Sequence, residues 1–157
     1  MIVKNIIDED FSNYQRISMF IGFPHCTFKC EKECGMKMCQ NSVLATAPNI
    51  DITCESIVER YLRNPITSAI VFGGLEPFDD FDDMMFLVQT IREKTDDDIV
   101  IYTGYYADEI PYQLRQLKKY PNIVVKFGRY IPNQEGRYDD VLGVKLASNN
   151  QIATRIS

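Results

Sequence analysis

Four of the five cysteines, Cys26, Cys30, Cys34 and Cys39, crowd into one stretch with three, three and four residues between them; the fifth is Cys54. Thiolates are soft ligands, and at this spacing a single loop can wrap them around a soft metal centre. Four thiolates would close a structural zinc site. Three would hold a four-iron cluster and leave one iron open, by the logic that separates open catalytic zinc from closed structural zinc. The number of ligands therefore decides what the loop does, and spacing alone does not choose iron over zinc. A disulfide framework is a poorer reading, because bridges are spread more widely along a chain than this cluster is.

The elements around the loop say where it is held. Ile17 to Phe23 is an apolar run of β-formers and predicts a buried strand that delivers the chain into the cysteines. Ser68 to Phe72 predicts a second strand running into Gly73-Gly74-Leu75-Glu76-Pro77, Ile99 to Thr103 a third leading into Gly104-Tyr105-Tyr106, and Ile123 to Phe127 a fourth leading into Gly128-Arg129-Tyr130. Between them lie helical patterns. Thr53 is an N-cap for a helix through Arg63, with Ile57, Val58, Tyr61 and Leu62 as its apolar stripe and Pro65 ending it. Asp79 to Lys94 reads as a helix that is acidic at its start and basic in its last turn, with Phe81, Met84, Met85, Val88 and Ile91 inward. Pro111 opens a short third helix bearing Leu114 and Leu117.

Alternation of strand and helix predicts an α/β fold of parallel strands joined by right-handed crossovers, in which ligands collect outside the carboxyl ends of the strands. The four loops that follow strands are expected to share one site. A chain of 157 residues, 45% hydrophobic and 25% charged, is read as a single domain over residues 1–157. Its net charge of -5 and pI near 4.9 speak against a nucleic-acid partner. No apolar run approaches the roughly 20 residues of a membrane span, and the first residues lack the pattern of a signal peptide, so no membrane partner and a cytoplasmic location are expected.

The stretch from Gly22 to Asn41 resembles the radical S-adenosylmethionine enzymes, whose motif sets three cysteines as CxxxCxxC on the loop after the first strand. Cys26-Thr27-Phe28-Lys29-Cys30 matches the first spacing; Cys34 comes one residue late, and Cys39 follows Cys30 after eight intervening residues. Cys39-Gln40-Asn41 resembles the cysteine, variable residue and asparagine that end the motif in activating enzymes of anaerobic ribonucleotide reductase. The resemblance therefore favours Cys39 as third ligand, with Cys34 an alternative or additional one. Gly73-Gly74-Leu75-Glu76-Pro77 resembles the family's Gly-Gly-Glu-Pro segment, with Leu75 interposed. Ile101 to Tyr105 resembles its strand ending in Thr-Gly-Tyr, Phe127 to Tyr130 its Gly-Arg-Tyr, and Ala147 to Gln151 its Gly-Ser-x-Asn-Gln. Each segment is weak alone, and their shared order carries the likeness.

What the resemblance implies is concrete. The fold would be a short incomplete (β/α) barrel. Cys26, Cys30 and Cys39 would hold a 4Fe-4S cluster. Gly73, Gly74, Glu76, Thr103, Gly104, Ser148 and Asn150 would bind S-adenosylmethionine, with Phe28 against the adenine or simply anchoring the loop. A 5′-deoxyadenosyl radical would then take a hydrogen from a glycine of a glycyl-radical protein, the anaerobic ribonucleotide reductase large subunit, with electrons from a flavodoxin- or ferredoxin-type donor. Two alternatives stay open: the same chemistry on another substrate, since a fold does not fix a target, and a non-catalytic four-cysteine iron-sulfur or zinc module.

Other residues have plainer readings. His25, the single histidine, is expected to be structural or solvent-facing although it adjoins Cys26. Lys126 and Arg129 are expected to be solvated charges rather than ligands of a carboxylate. The acidic run from Asp79 to Asp83 is accounted for by the positive end of a helix.

Overall fold

The apolar runs become the middle of one six-stranded sheet, and the crossovers between them decide which face the helices take. The computed structural model describes residues 1–157. In chain order the elements are β1 (Ile2–Val3), β2 (Asn5–Asp10), β3 (Ser18–Phe23), α1 (Lys29–Cys34), α2 (Ser42–Thr46), β4 (Ile50–Asp51) and α3 (Cys54–Arg63). There follow β5 (Ala69–Gly74), α4 (Phe81–Arg92), β6 (Asp98–Tyr102), α5 (Pro111–Leu117), β7 (Ile123–Phe127), β8 (Tyr138–Asp139), β9 (Val144–Lys145) and β10 (Ile152–Arg155). The sheet order is β10-β7-β6-β5-β3-β2.

Strands β3, β5, β6 and β7 are parallel, as the alternation predicts. They step in one direction across the sheet, so right-handed crossovers place α3, α4 and α5 on the same face. That face is the larger core: Met19, Ile21, Phe23, Ile70, Phe72, Ile99, Ile101, Ile123 and Val125 point into it with Ile57, Tyr61, Met84, Leu87, Ile91 and Leu117 from the helices. The alternate residues Ala69, Val71, Val100, Val124 and Ala153 line the opposite face, which Tyr14, Leu142 and Leu146 cover from irregular segments. The period-two alternation of a strand thus feeds two different cores.

The sheet is mixed and open, with no closed barrel. Both edge strands are antiparallel, β2 against β3 and β10 against β7. Neither is expected from the sequence. Asn5–Asp10 is rich in acids and Ile152–Arg155 is short, and edge strands that face solvent on one side carry little periodic signal.

The helices follow their local chemistry. Thr53 caps α3, its hydroxyl accepting from the Ser56 amide at 3.1 Å. Cys54, Ile57, Val58 and Tyr61 are buried along it, whereas Leu62, expected in the stripe, is 49% exposed. The predicted helix from Asp79 divides into a 3-10 turn, Pro77–Asp80, and α4 proper. Leu87 is buried there, while Phe81 and Met85 lie at the margin of the core.

Candidate metal centre

The parallel strands all end at one edge, and the loops leaving them close on each other. Gly22 pairs with Gly73 and Phe23 with Gly74, so the cysteine loop and the glycine pair leave adjacent strands side by side. The glycines are required there. Gly74 has φ +83, and a Cβ on it would come within 2.7 Å of the Gly22 Cα; a Cβ on Gly73 would meet the Phe20 ring at 2.8 Å. The Asn41 side-chain amide donates to the Gly74 carbonyl at 2.6 Å, so the asparagine two residues after Cys39 ties the far end of the loop to the glycine pair.

A cavity of about 400 Å³ opens at this edge. Cys26, Cys30 and Cys39 line it together with Gly73, Gly74, Glu76, Thr103 and Gly104. Cys34, Phe28, Ser148 and Asn150 do not, and Cys54, the first residue of α3, is buried in the core. Gln40, Lys126 and Gln151 also reach the cavity.

Within the loop, Glu31 of α1 accepts from the amides of Met38 and Cys39 at 3.2 and 3.0 Å, folding the returning chain back so that Cys39 sits with Cys30. Asp79 accepts from the Thr27 amide at 2.8 Å and from the Tyr105 hydroxyl at 2.6 Å. His25, exposed as expected, bonds Asp80 through Nδ1. The first two acids of the run from Asp79 thus do more than sit at the positive end of a helix: they fasten the start of the cysteine loop.

Glu76 is buried, and its carboxylate accepts from the Thr103 hydroxyl at 2.7 Å and from the amides of Gly104 and Phe78 at 2.9 and 3.2 Å. Three donors from two loops make it a brace between the second and third strand ends. Burial pushes its carboxyl up to about 7, against the lowering pull of those three bonds. Ser148 and Asn150 are also braces. Ser148 Oγ accepts from the Ile131 amide at 3.3 Å, and the Asn150 amide donates to the Arg129 carbonyl at 2.8 Å. Phe28 stands at the start of α1 with φ 53, half-buried, and its amide points at the Cys26 sulfur at 3.2 Å.

Two cations overturn their solvated reading. Lys126 is 7% exposed, and Nζ donates to the carbonyls of Gly128 and Thr103 at 3.1 and 3.4 Å; burial pulls its amine down to about 8. Arg129 is 4% exposed. Nothing in the local sequence announces either, because their burial depends on partners that other strand-end loops supply, the Thr103 carbonyl for Lys126 and Glu109 for Arg129.

Burial pushes the Cys26 thiol up to about 12 and raises Cys30 as well, so binding a metal must release protons from both. Three thiols around one cavity are the soft donor set of a polynuclear cluster, in which each thiolate takes its own corner.

A family model described as a 4Fe-4S single cluster domain matches residues 15–153. No curated protein and no solved structure matches the chain.

Proposed function

Because the chain belongs to the family of 4Fe-4S single cluster domains, we propose that it is a radical S-adenosylmethionine enzyme of the glycyl-radical activating type. Cys26, Cys30 and Cys39 are the cluster ligands in this reading. The observation that carries it is that these three thiols line one cavity with the glycine pair while Cys34 lies outside it. Three protein ligands leave one iron of four free to take a substrate. When bound, such a cluster supplies the electron that cleaves the sulfonium carbon–sulfur bond of S-adenosylmethionine, giving methionine and a 5′-deoxyadenosyl radical.

The chain's own residues prepare that event. The backbone of Gly73 and Gly74, bare of side chains, lets the ligand's amino group approach the strand end. Glu76 locks the glycine loop to Thr103 and Gly104, fixing the cavity wall that it lines. The parallel block of β3, β5, β6 and β7 serves as the incomplete barrel, and a loop of a glycyl-radical protein reaches the cavity at the carboxyl ends of those strands. The cluster is reduced by a flavodoxin- or ferredoxin-type donor.

Anaerobic reconstitution with iron and sulfide, followed by electron paramagnetic resonance, tests this. The reduced 4Fe-4S signal is expected to change on adding S-adenosylmethionine, to persist in Cys34→Ala and to vanish in Cys39→Ala. A cluster that ignores S-adenosylmethionine would sink the proposal. One observation favours a second reading, a four-cysteine electron carrier: Cys34 lies one helical turn from Cys30 in α1, on the same side of that helix. Loss of the cluster in Cys34→Ala would select it.

A further inference from the structure

The helix that carries Cys30 has almost nothing to hold it down. Residues Lys29–Cys34 of α1 include no buried residue, and Phe28 provides no side-chain cap. Glu31 ties it to the returning loop through the Met38 and Cys39 amides, and its attachments beyond the loop are the ammonium of Lys29, 3.9 Å from the centre of the Tyr105 ring, and the carboxylate of Glu33, 2.9 Å from Nε of Arg129.

Arg129 is the unusual partner in that list. Its side chain is 5% exposed, while Glu33 is 57% exposed. Its two terminal nitrogens grip Glu109 in a fork, Nη1 to Oε2 at 2.8 Å and Nη2 to Oε1 at 2.6 Å. Nη1 also donates to the Gly104 carbonyl at 3.3 Å, and the guanidinium stacks 4.9 Å from the Tyr106 ring. The residue's own carbonyl is held by Asn150. This half of the junction is fixed, since a two-pronged arginine–carboxylate pair is the strong form of the interaction. The Glu109 carboxyl accordingly sits down at about 2, held there first by its bonds to Arg129.

The Glu33 half differs in kind. The Nε–Glu33 contact is close but not aligned as a hydrogen bond, which leaves the buried Nε–H without an acceptor. A carboxylate that is more than half exposed and poorly aligned contributes little, and salt screens it. One guanidinium thus joins two carboxylates, one permanently and one loosely. The loosely joined one belongs to the cysteine helix.

We propose that Arg129 is the positioning residue of the cysteine loop: held by Glu109, it forms a socket from which Glu33 can release, so that α1, which brings Cys30 to the cavity, is a flap that swings away to admit iron and sulfide. The flap rests on the reading of the cysteines as cluster ligands. Its hinge chemistry can be measured with or without a cluster. Glu33 touches neither the cavity nor the core, so Glu33→Gln folds normally.

Amide hydrogen exchange on the metal-free protein decides whether the latch exists. In Glu33→Gln, and in the wild type at 1 M salt, the hydrogen-bonded amides of α1, Lys32 to the Phe28 carbonyl and Gly35 to the Glu31 carbonyl among them, are expected to exchange about two- to fivefold faster, the size of an exposed ion pair, while those of α3 and α4 stay unchanged. Glu33→Asp, with a shorter reach, falls between. Glu59→Gln, which removes the surface pair with Arg63, leaves α1 at the wild-type rate. On the reconstituted protein, a chelator is expected to strip iron from Glu33→Gln faster by a similar factor. Exchange in α1 that is indifferent to Glu33 and to salt overturns the latch. Wild-type protein that takes up no cluster would instead fault the ligand reading, and the exchange result would still judge Arg129.

Discussion

The two edges of the sheet hold their polar residues in opposite ways. At the amino edge, Asp98 is buried among groups that answer its charge: Arg155 at 2.8 Å, Arg16 at 3.3 Å and the Tyr14 hydroxyl at 2.8 Å. Burial alone would raise the Asp98 carboxyl, yet bonds from Arg155 and Tyr14 and the nearby positive charges leave it below the usual carboxylate range. At the carboxyl edge, Glu76 and Asp79 bond to backbone amides and hydroxyls, the buried lysine bonds to carbonyls, and Cys26 and Cys30 are raised. One edge is closed electrostatically within itself. The other uses its polar groups to brace loops and keeps its thiols free for something the chain does not contain. Edges built on the same strands therefore separate stability from chemistry.

Substitutions can break that separation. The largest expected effect is Cys30→Ala, which abolishes 4Fe-4S content on reconstitution while the metal-free protein melts as the wild type does; iron analysis and a thermal melt check both. A large fall in the melting temperature would show that the thiols also support the fold. Gly74→Ala comes next. Its positive φ and the collision with Gly22 are expected to cost about 1–3 kcal/mol in chemical denaturation and to impair cluster uptake as well.

Asp98→Asn is the mirror image. It is expected to cost about 1–3 kcal/mol, because Arg155 and Arg16 lose a charged acceptor, and cluster uptake is unaffected. The same residue sets a pH dependence. Its folded pKa lies below its unfolded value, so its contribution is present above about pH 4 and is lost as pH falls through the folded value. The difference in melting temperature between wild type and Asp98→Asn is expected to shrink as the medium is acidified below that point. A gap that is constant with pH would show that packing, not charge, holds the amino edge. The smallest effect is Thr53→Ala, about 1 kcal/mol for a lost cap, with the cluster unchanged.

Much of the frame was legible because local chemistry and tertiary role coincide. Thr53 with its stripe announces α3, and Ile123–Phe127 is buried throughout and reads as what it is. The glycine pair announces a strand end because the positive φ and close packing at Gly74 favour glycine. Legibility ends where a residue's role depends on partners far away in the chain. Arg129 meets Glu33 and Glu109, and Lys126 meets the Thr103 carbonyl, only after three crossovers have been laid side by side. A charged side chain gives no local sign that such company awaits it. The short helices α1 and α2 are silent for another reason: neither has a buried residue, so neither imprints a period on the sequence.

The cavity wall carries a consequence for how the protein is made. The thiols come from the first strand loop, but Val144, Leu146, Ala147 and Gln151 close the cavity from the other side. Val144 follows Cys39 by 105 positions. At synthesis rates of about 5–20 residues per second, Cys26, Cys30 and Cys39 leave the ribosome roughly 5–20 seconds before that wall exists. During this interval the nascent chain presents its thiols unshaded, to iron delivery and to oxygen alike.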